Sequence, residues 1–142
     1  MASWTASRAR AGENRPCYGR KLKRPDKEVA VNPLDVVESF GQAWANHDLD
    51  AAMALTTNDC VFDNTDPAPD GTRYEGHAAI REAWKPIFDD LASSFEAEEI
   101  FAAGDRVVQR WRYSWDGGHV RGVDVFRVRD GKVSEKFSYV KG

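Results

Sequence analysis

The sequence predicts an α+β domain, and three observations carry that prediction. Apolar residues recur at helical spacings of three and four in the first half of the chain, alternation of period two takes over after Ser93-Ser94, and Gly/Asp pairs separate the alternating runs. Helices followed by a meander of strands make a twisted sheet that packs on helices around a hollow.

The elements follow in order. From Leu34, the residues Val37, Phe40, Ala43 and Trp44 form one apolar stripe of a helix that ends at Asn46-His47. Asp48 caps a second, short helix that turns Leu49, Ala52, Met53 and Leu55 toward the same core. Cys60 to Asn64 is a strand whose end sends Asp63 and Asn64 to opposite faces, with Asn64 on the side of Phe62. Thr65 to Tyr74 holds Pro67, Pro69 and Asp70-Gly71 and is expected to be an irregular loop. A third helix opens at Gly76-His77, with Ile80, Trp84, Ile87, Phe88 and Leu91 on one side. Pro86 removes a backbone donor inside it, so a kink or break is expected there. Strands then run over Phe95–Ala103, Arg106–Trp115, Val120–Val128 and Lys132–Val140, with turns at Gly104-Asp105, Asp116-Gly117-Gly118 and Asp130-Gly131.

Size and charge bound the function. A chain of 142 residues suits about one domain with one core. Residues 1–33 carry eight Lys/Arg against three acids, which leaves 12 against 20, or about −8, for residues 34–142. The first segment has no apolar period and three prolines, so it reads as a basic, disordered extension ahead of a domain at 34–142. It lacks the apolar run of a secretory signal; an organelle-targeting role or a nucleic-acid tether is a distant alternative. The acidic body argues against nucleic-acid binding, and no stretch has the length of a membrane span. Cys17 and Cys60, and His47, His77 and His119, match no metal-ligand spacing. A reduced, cytoplasmic setting with neither metal nor cofactor is the expectation.

Asp124 calls for an explanation. It lies in Val120-Arg121-Gly122-Val123-Asp124-Val125-Phe126-Arg127-Val128, where alternation puts Val120, Gly122, Asp124, Phe126 and Val128 on one face and the arginines on the other. A carboxylate turned toward an apolar interior loses hydration unless something replaces it. Either it is a structural acid that accepts hydrogen bonds or pairs with an arginine, or it stands on a pocket wall and handles a proton or donates a hydrogen bond.

The order of these elements, with Asp48-Leu49-Asp50, Tyr74-Glu75-Gly76-His77-Ala78-Ala79-Ile80-Arg81 and Val123-Asp124-Val125-Phe126-Arg127 before Gly131-Lys132-Val133, resembles the nuclear-transport-factor-2-like (NTF2-like) superfamily over about Leu34 to Gly142. Within it, the SnoaL-like group with its polyketide cyclases, and the ketosteroid isomerases, are most similar. The resemblance implies three N-terminal helices on a curved mixed or antiparallel sheet, a conical pocket for a small apolar molecule of polyketide, steroid or terpenoid type, and a homodimer through the outer sheet face. Asp124 matches the position at which ketosteroid isomerases carry a protonated oxyanion donor. Counting from Asp48, their base falls on Asn64 and their phenol on Phe40. The candidate site is therefore Asp124 and Asp63 as acid/base groups, with Asn64, Phe62, Phe40, Trp44, Trp84, Tyr113, Phe126 and Ser138 as pocket residues. Alternation on the last strand leaves open whether Lys136 and Ser138 or Phe137 and Tyr139 face inward. A cofactor-independent enzyme of cyclase or isomerase type is one functional expectation; a non-catalytic ligand-binding or dimeric scaffold module is the other.

Overall fold

A computed structural model describes the protein over residues 31–142. The basic extension expected over residues 1–33 therefore lies outside the described residues, apart from its last three. Helix α1 spans Pro33–Ala45. The Asn32 side chain caps it by accepting the Leu34 backbone N–H at 3.0 Å, and Pro33 stands at the first helical position, where its missing N–H costs nothing. Val36, Val37, Phe40 and Ala43 form its buried side. The chain leaves the helix at Asn46 and reverses through His47, which has φ +55°. Helix α2, Leu49–Ala54, begins where the Asp48 carboxylate accepts the Ala51 N–H, and it buries Ala52 and Met53.

Strand β1 covers Thr56–Asp63, so it starts four residues ahead of the expected Cys60. The polar pair Asn58-Asp59, which reads as a turn, lies exposed within the strand where its register on β6 shifts. The expected irregular loop ends in a short strand, β2, at Arg73–Glu75, which pairs antiparallel with β1. Helix α3, His77–Asp89, continues past Pro86, so of the expected kink or break the break does not occur. Both Pro86 and Glu82, whose carbonyl Pro86 leaves without an N–H donor, lie on the exposed side of the helix. Because the helix stops at Asp89, Leu91 falls off its apolar side and is 76% exposed.

Strands β3 (Ser94–Ala103), β4 (Arg106–Trp115), β5 (Gly118–Arg129) and β6 (Lys132–Val140) form the meander. The turn into β6 has positive φ at both Asp130 and Gly131, as a two-residue hairpin requires. The sheet order is β2-β1-β6-β5-β4-β3, with β1 parallel to β6 and the other neighbours antiparallel. The sheet is thus mixed and six-stranded, and it stays open, with β2 and β3 as edges. Among the described residues two helices precede the sheet and the third follows β2 in sequence, so the expected arrangement of three N-terminal helices is not met there. The core lies between helices and sheet. Fully buried Trp84 sets its ring edge-on to Phe40, Trp44 and Phe62 at 5.4–5.6 Å.

Candidate functional site

Strands β4, β5 and β6 align three polar side chains across the helix-facing side of the sheet. Gln109, Asp124 and Ser138 are register partners on adjacent strands, and all three line one cavity. Asp124 is 3% exposed and Gln109 2%. Two residues before Ser138, and so on the same face, Lys136 turns its side chain into this row. Its Nζ stands 3.2 Å from Asp124 Oδ2 and donates to Ser138 Oγ at 2.9 Å. The ammonium also lies over the faces of Phe62 (4.8 Å) and Trp44 (5.1 Å). Ion pairing and two ring faces together replace water around a buried cation. The other carboxylate oxygen, Asp124 Oδ1, is buried without a hydrogen-bond partner among the described residues.

The cavity measures about 190 Å³, against roughly 150 Å³ for an apolar cavity that accommodates benzene. Helix α1 supplies Phe40, Gly41 and Trp44; the end of β1 and the residues after it supply Phe62, Asn64 and Thr65; Ile87, Phe95, Trp111, Tyr113, Val120, Phe126 and Val140 complete the walls. Gly41 makes room for the polar row, since a Cβ there would come 3.3 Å from Gln109 Nε2. The Asn64 side-chain oxygen accepts the Thr65 N–H at 2.8 Å, which leaves its NH₂ as the donor that remains. Tyr113 donates its hydroxyl proton to Ser93 Oγ at 2.6 Å, so toward the cavity it acts as an acceptor.

Eight of the residues expected from sequence share this enclosure: Asp124, Asn64, Phe62, Phe40, Trp44, Tyr113, Phe126 and Ser138. Trp84 lies behind the wall, in the core. Asp63 stands on the other side of β1, where Arg73 grips both of its oxygens at 2.7 and 2.9 Å. Those hydrogen bonds hold its carboxyl below the ordinary carboxylate range. Sequence reasoning missed Gln109, although an amide between Val107 and Trp111 on the inward alternation of β4 was a readable signal. It also left Lys136 undecided. The structure turns Lys136 and Ser138 inward, while outward Phe137 is covered by the Arg73 guanidinium, 5.4 Å from its ring centre, and Tyr139 remains 57% exposed.

The SnoaL-like domain family model matches residues 37–136. Among solved structures, the chain is similar to an NTF2-like protein of unknown function from Mesorhizobium loti, at 41% identity over 78% of this chain and 91% of that one, with a TM-score of 0.72. A putative polyketide cyclase from Sinorhizobium meliloti shares 23% identity over 74% and 94% of the two chains, with a TM-score of 0.64. A putative ketosteroid isomerase from Kribbella flavida shares 13% over 78% of each, with a TM-score of 0.66. These last two show likeness of fold alone. No curated protein matches the chain.

Proposed function

The chain belongs to the SnoaL-like domain family, with the NTF2-like fold, and from that premise we propose that it is a cofactor-independent acid/base enzyme of cyclase or isomerase type. Its substrate is a small, mostly apolar molecule of polyketide, steroid or terpenoid type. One observation carries the reading: a carboxylate with one uncommitted oxygen is buried against an ammonium on the wall of an aromatic cavity.

The pairing explains how this acid works as a base. Lys136 Nζ lies 3.2 Å from Asp124 Oδ2, so the two opposite charges are paired within the cavity wall. Oδ2 faces the ammonium, and Oδ1 is left to take a proton from the substrate and return it elsewhere on the same molecule. The rings of Phe40, Phe62 and Trp44 wall the cavity against water and pack along an apolar skeleton, while the Asn64 NH₂ and the Gln109 amide orient its oxygen. Asp63, bound by Arg73 away from the cavity, takes no part. The proposal includes a homodimer through the outer sheet face, where Tyr139 is exposed.

Proton exchange tests this without knowledge of the natural substrate. In D₂O, the protein is expected to accelerate deuterium incorporation at the α-carbon of a compact cyclic ketone such as 1-indanone, followed by NMR, and Asp124→Asn to abolish the acceleration. Equal exchange by the wild type and Asp124→Asn would exclude Asp124 as the base. Saturable ketone binding with no acceleration in the wild type would instead establish a ligand-binding module.

A further inference from the structure

Lys136 is built in more closely than a counter-ion for Asp124 needs to be. It sits on the cavity wall at 7% exposure, its amine bonds Ser138, and two aromatic faces stand within about 5 Å of Nζ. An amine that lines an apolar cavity beside a carboxylate has what nucleophilic catalysis on a carbonyl requires: a desolvated nitrogen and an adjacent group that removes and returns its protons. From these contacts we infer that the pocket takes aldehydes or ketones and that Lys136 captures their carbonyl carbon as an iminium. The inference deepens the acid/base reading and rests on it.

The step balances with the groups present. Asp124 accepts a proton from the ammonium, and the freed nitrogen pair forms the C–N bond while the carbonyl π pair moves to oxygen. That oxygen departs as water with the two protons that nitrogen gives up, both relayed by Asp124. Lysine ammonium plus carbonyl thus becomes iminium plus water, with nothing oxidised or reduced. The product keeps one positive charge where the ammonium stood, so Asp124 and the faces of Phe62 and Trp44 stabilise it as they stabilised the lysine. The iminium then draws electrons from the α-carbon. Asp124 takes the α-proton, and the C–H pair becomes the C=C bond of an enamine. Reprotonation at carbon and addition of water release the product and restore the amine.

Reductive trapping decides the matter. The full chain is incubated with benzaldehyde and sodium cyanoborohydride at neutral pH, and the benzyl adduct is located by peptide mapping. Benzyl alcohol, which has the same shape but no carbonyl, serves as competitor. Quenching of tryptophan emission reports binding in parallel, since Trp44 and Trp111 line the cavity. The expected result is modification of Lys136 about tenfold faster than of exposed Lys85, Lys132 or Lys141, suppressed by benzyl alcohol and absent in Lys136→Arg. The wild-type map decides whether or not that variant folds. Saturable quenching with adducts only on exposed lysines would overturn the iminium while leaving the pocket reading intact. Neither quenching nor a Lys136 adduct would overturn both.

Discussion

Replacing Lys136 by Met removes the charge and keeps an unbranched side chain of similar length. In the wild type the side chains of Lys136 and Asp124 are 9% and 4% exposed, so their pairing replaces most of the hydration that both have lost. Among the described residues Oδ1 of Asp124 has no hydrogen-bond partner already, and the variant strips Oδ2 of its cation as well. Removing one member of a buried ion pair costs about 3–5 kcal/mol, whereas replacing both with apolar residues is often neutral or stabilising. In urea, with a slope of about 2 kcal/mol per molar, the single variant is therefore expected to unfold about 2 M below the wild type. The double variant Asp124→Leu/Lys136→Met should recover most of that loss and so fall well short of the summed losses of Lys136→Met and Asp124→Leu made singly. Circular dichroism across a urea series measures the four midpoints, of the wild type, the two single variants and the double. A single variant within about 0.3 M of the wild type, or a double variant equal to the sum of its singles, would refute the buried pair as described.

Three further outcomes are expected. Gly122→Ala would set a Cβ 2.5 Å from the Trp111 ring and against the Tyr139 carbonyl; thermal unfolding should show a loss of about 1–3 kcal/mol, and an unchanged midpoint would contradict that packing. The Asp63 carboxyl is held below its ordinary range by Arg73, so the unfolded chain takes up the proton first as pH falls. Its stabilisation is full above the ordinary carboxylate range and is lost as pH drops through the folded-state value. The pair is partly exposed and screened, so Asp63→Asn should cost only about 0.2–1 kcal/mol at neutral pH and flatten the acid limb of the stability profile; an unaltered limb would count against it. Burial pushes the Cys60 thiol up to about 12, opposing any stabilisation of its thiolate by the Lys136 charge. That linkage favours the folded state below the ordinary thiol value and is lost as pH climbs toward 12. Native protein at pH 8 should leave Cys60 unlabelled by Ellman's reagent until it unfolds, as peptide mapping would show; fast native labelling would disprove its burial.

Much of the fold was legible because its signals are local. The Asp48 cap, the apolar side of α1 and the Asp130-Gly131 turn each follow from a few neighbouring residues. Asp124 could be singled out for the same reason, as an acid on the face that carries Phe126 and Val128. What failed depends on distant partners. The first half of β1 is polar and becomes strand only through pairing with β6, more than seventy residues on, where Thr56 meets Val133. Short β2 exists because β1 offers it an edge. The facing of Lys136 escaped for a different reason: alternation gives two faces and does not say which is buried. Arg73, from the far side of a loop, covers Phe137 and so permits an aromatic residue on the outside. An arginine partner was one of the options open for Asp124, yet the three arginines near it in sequence, Arg121, Arg127 and Arg129, pair with acids outside the cavity.

A crystal structure of the protein bound to 1-indanone would confront the catalytic account most directly. The ketone should occupy the hollow between α1 and the sheet, with its carbonyl carbon in reach of Lys136 Nζ and its α-carbon facing Asp124 Oδ1. A ketone seated elsewhere, or one in the hollow with its oxygen-bearing end turned away from both residues, would contradict it.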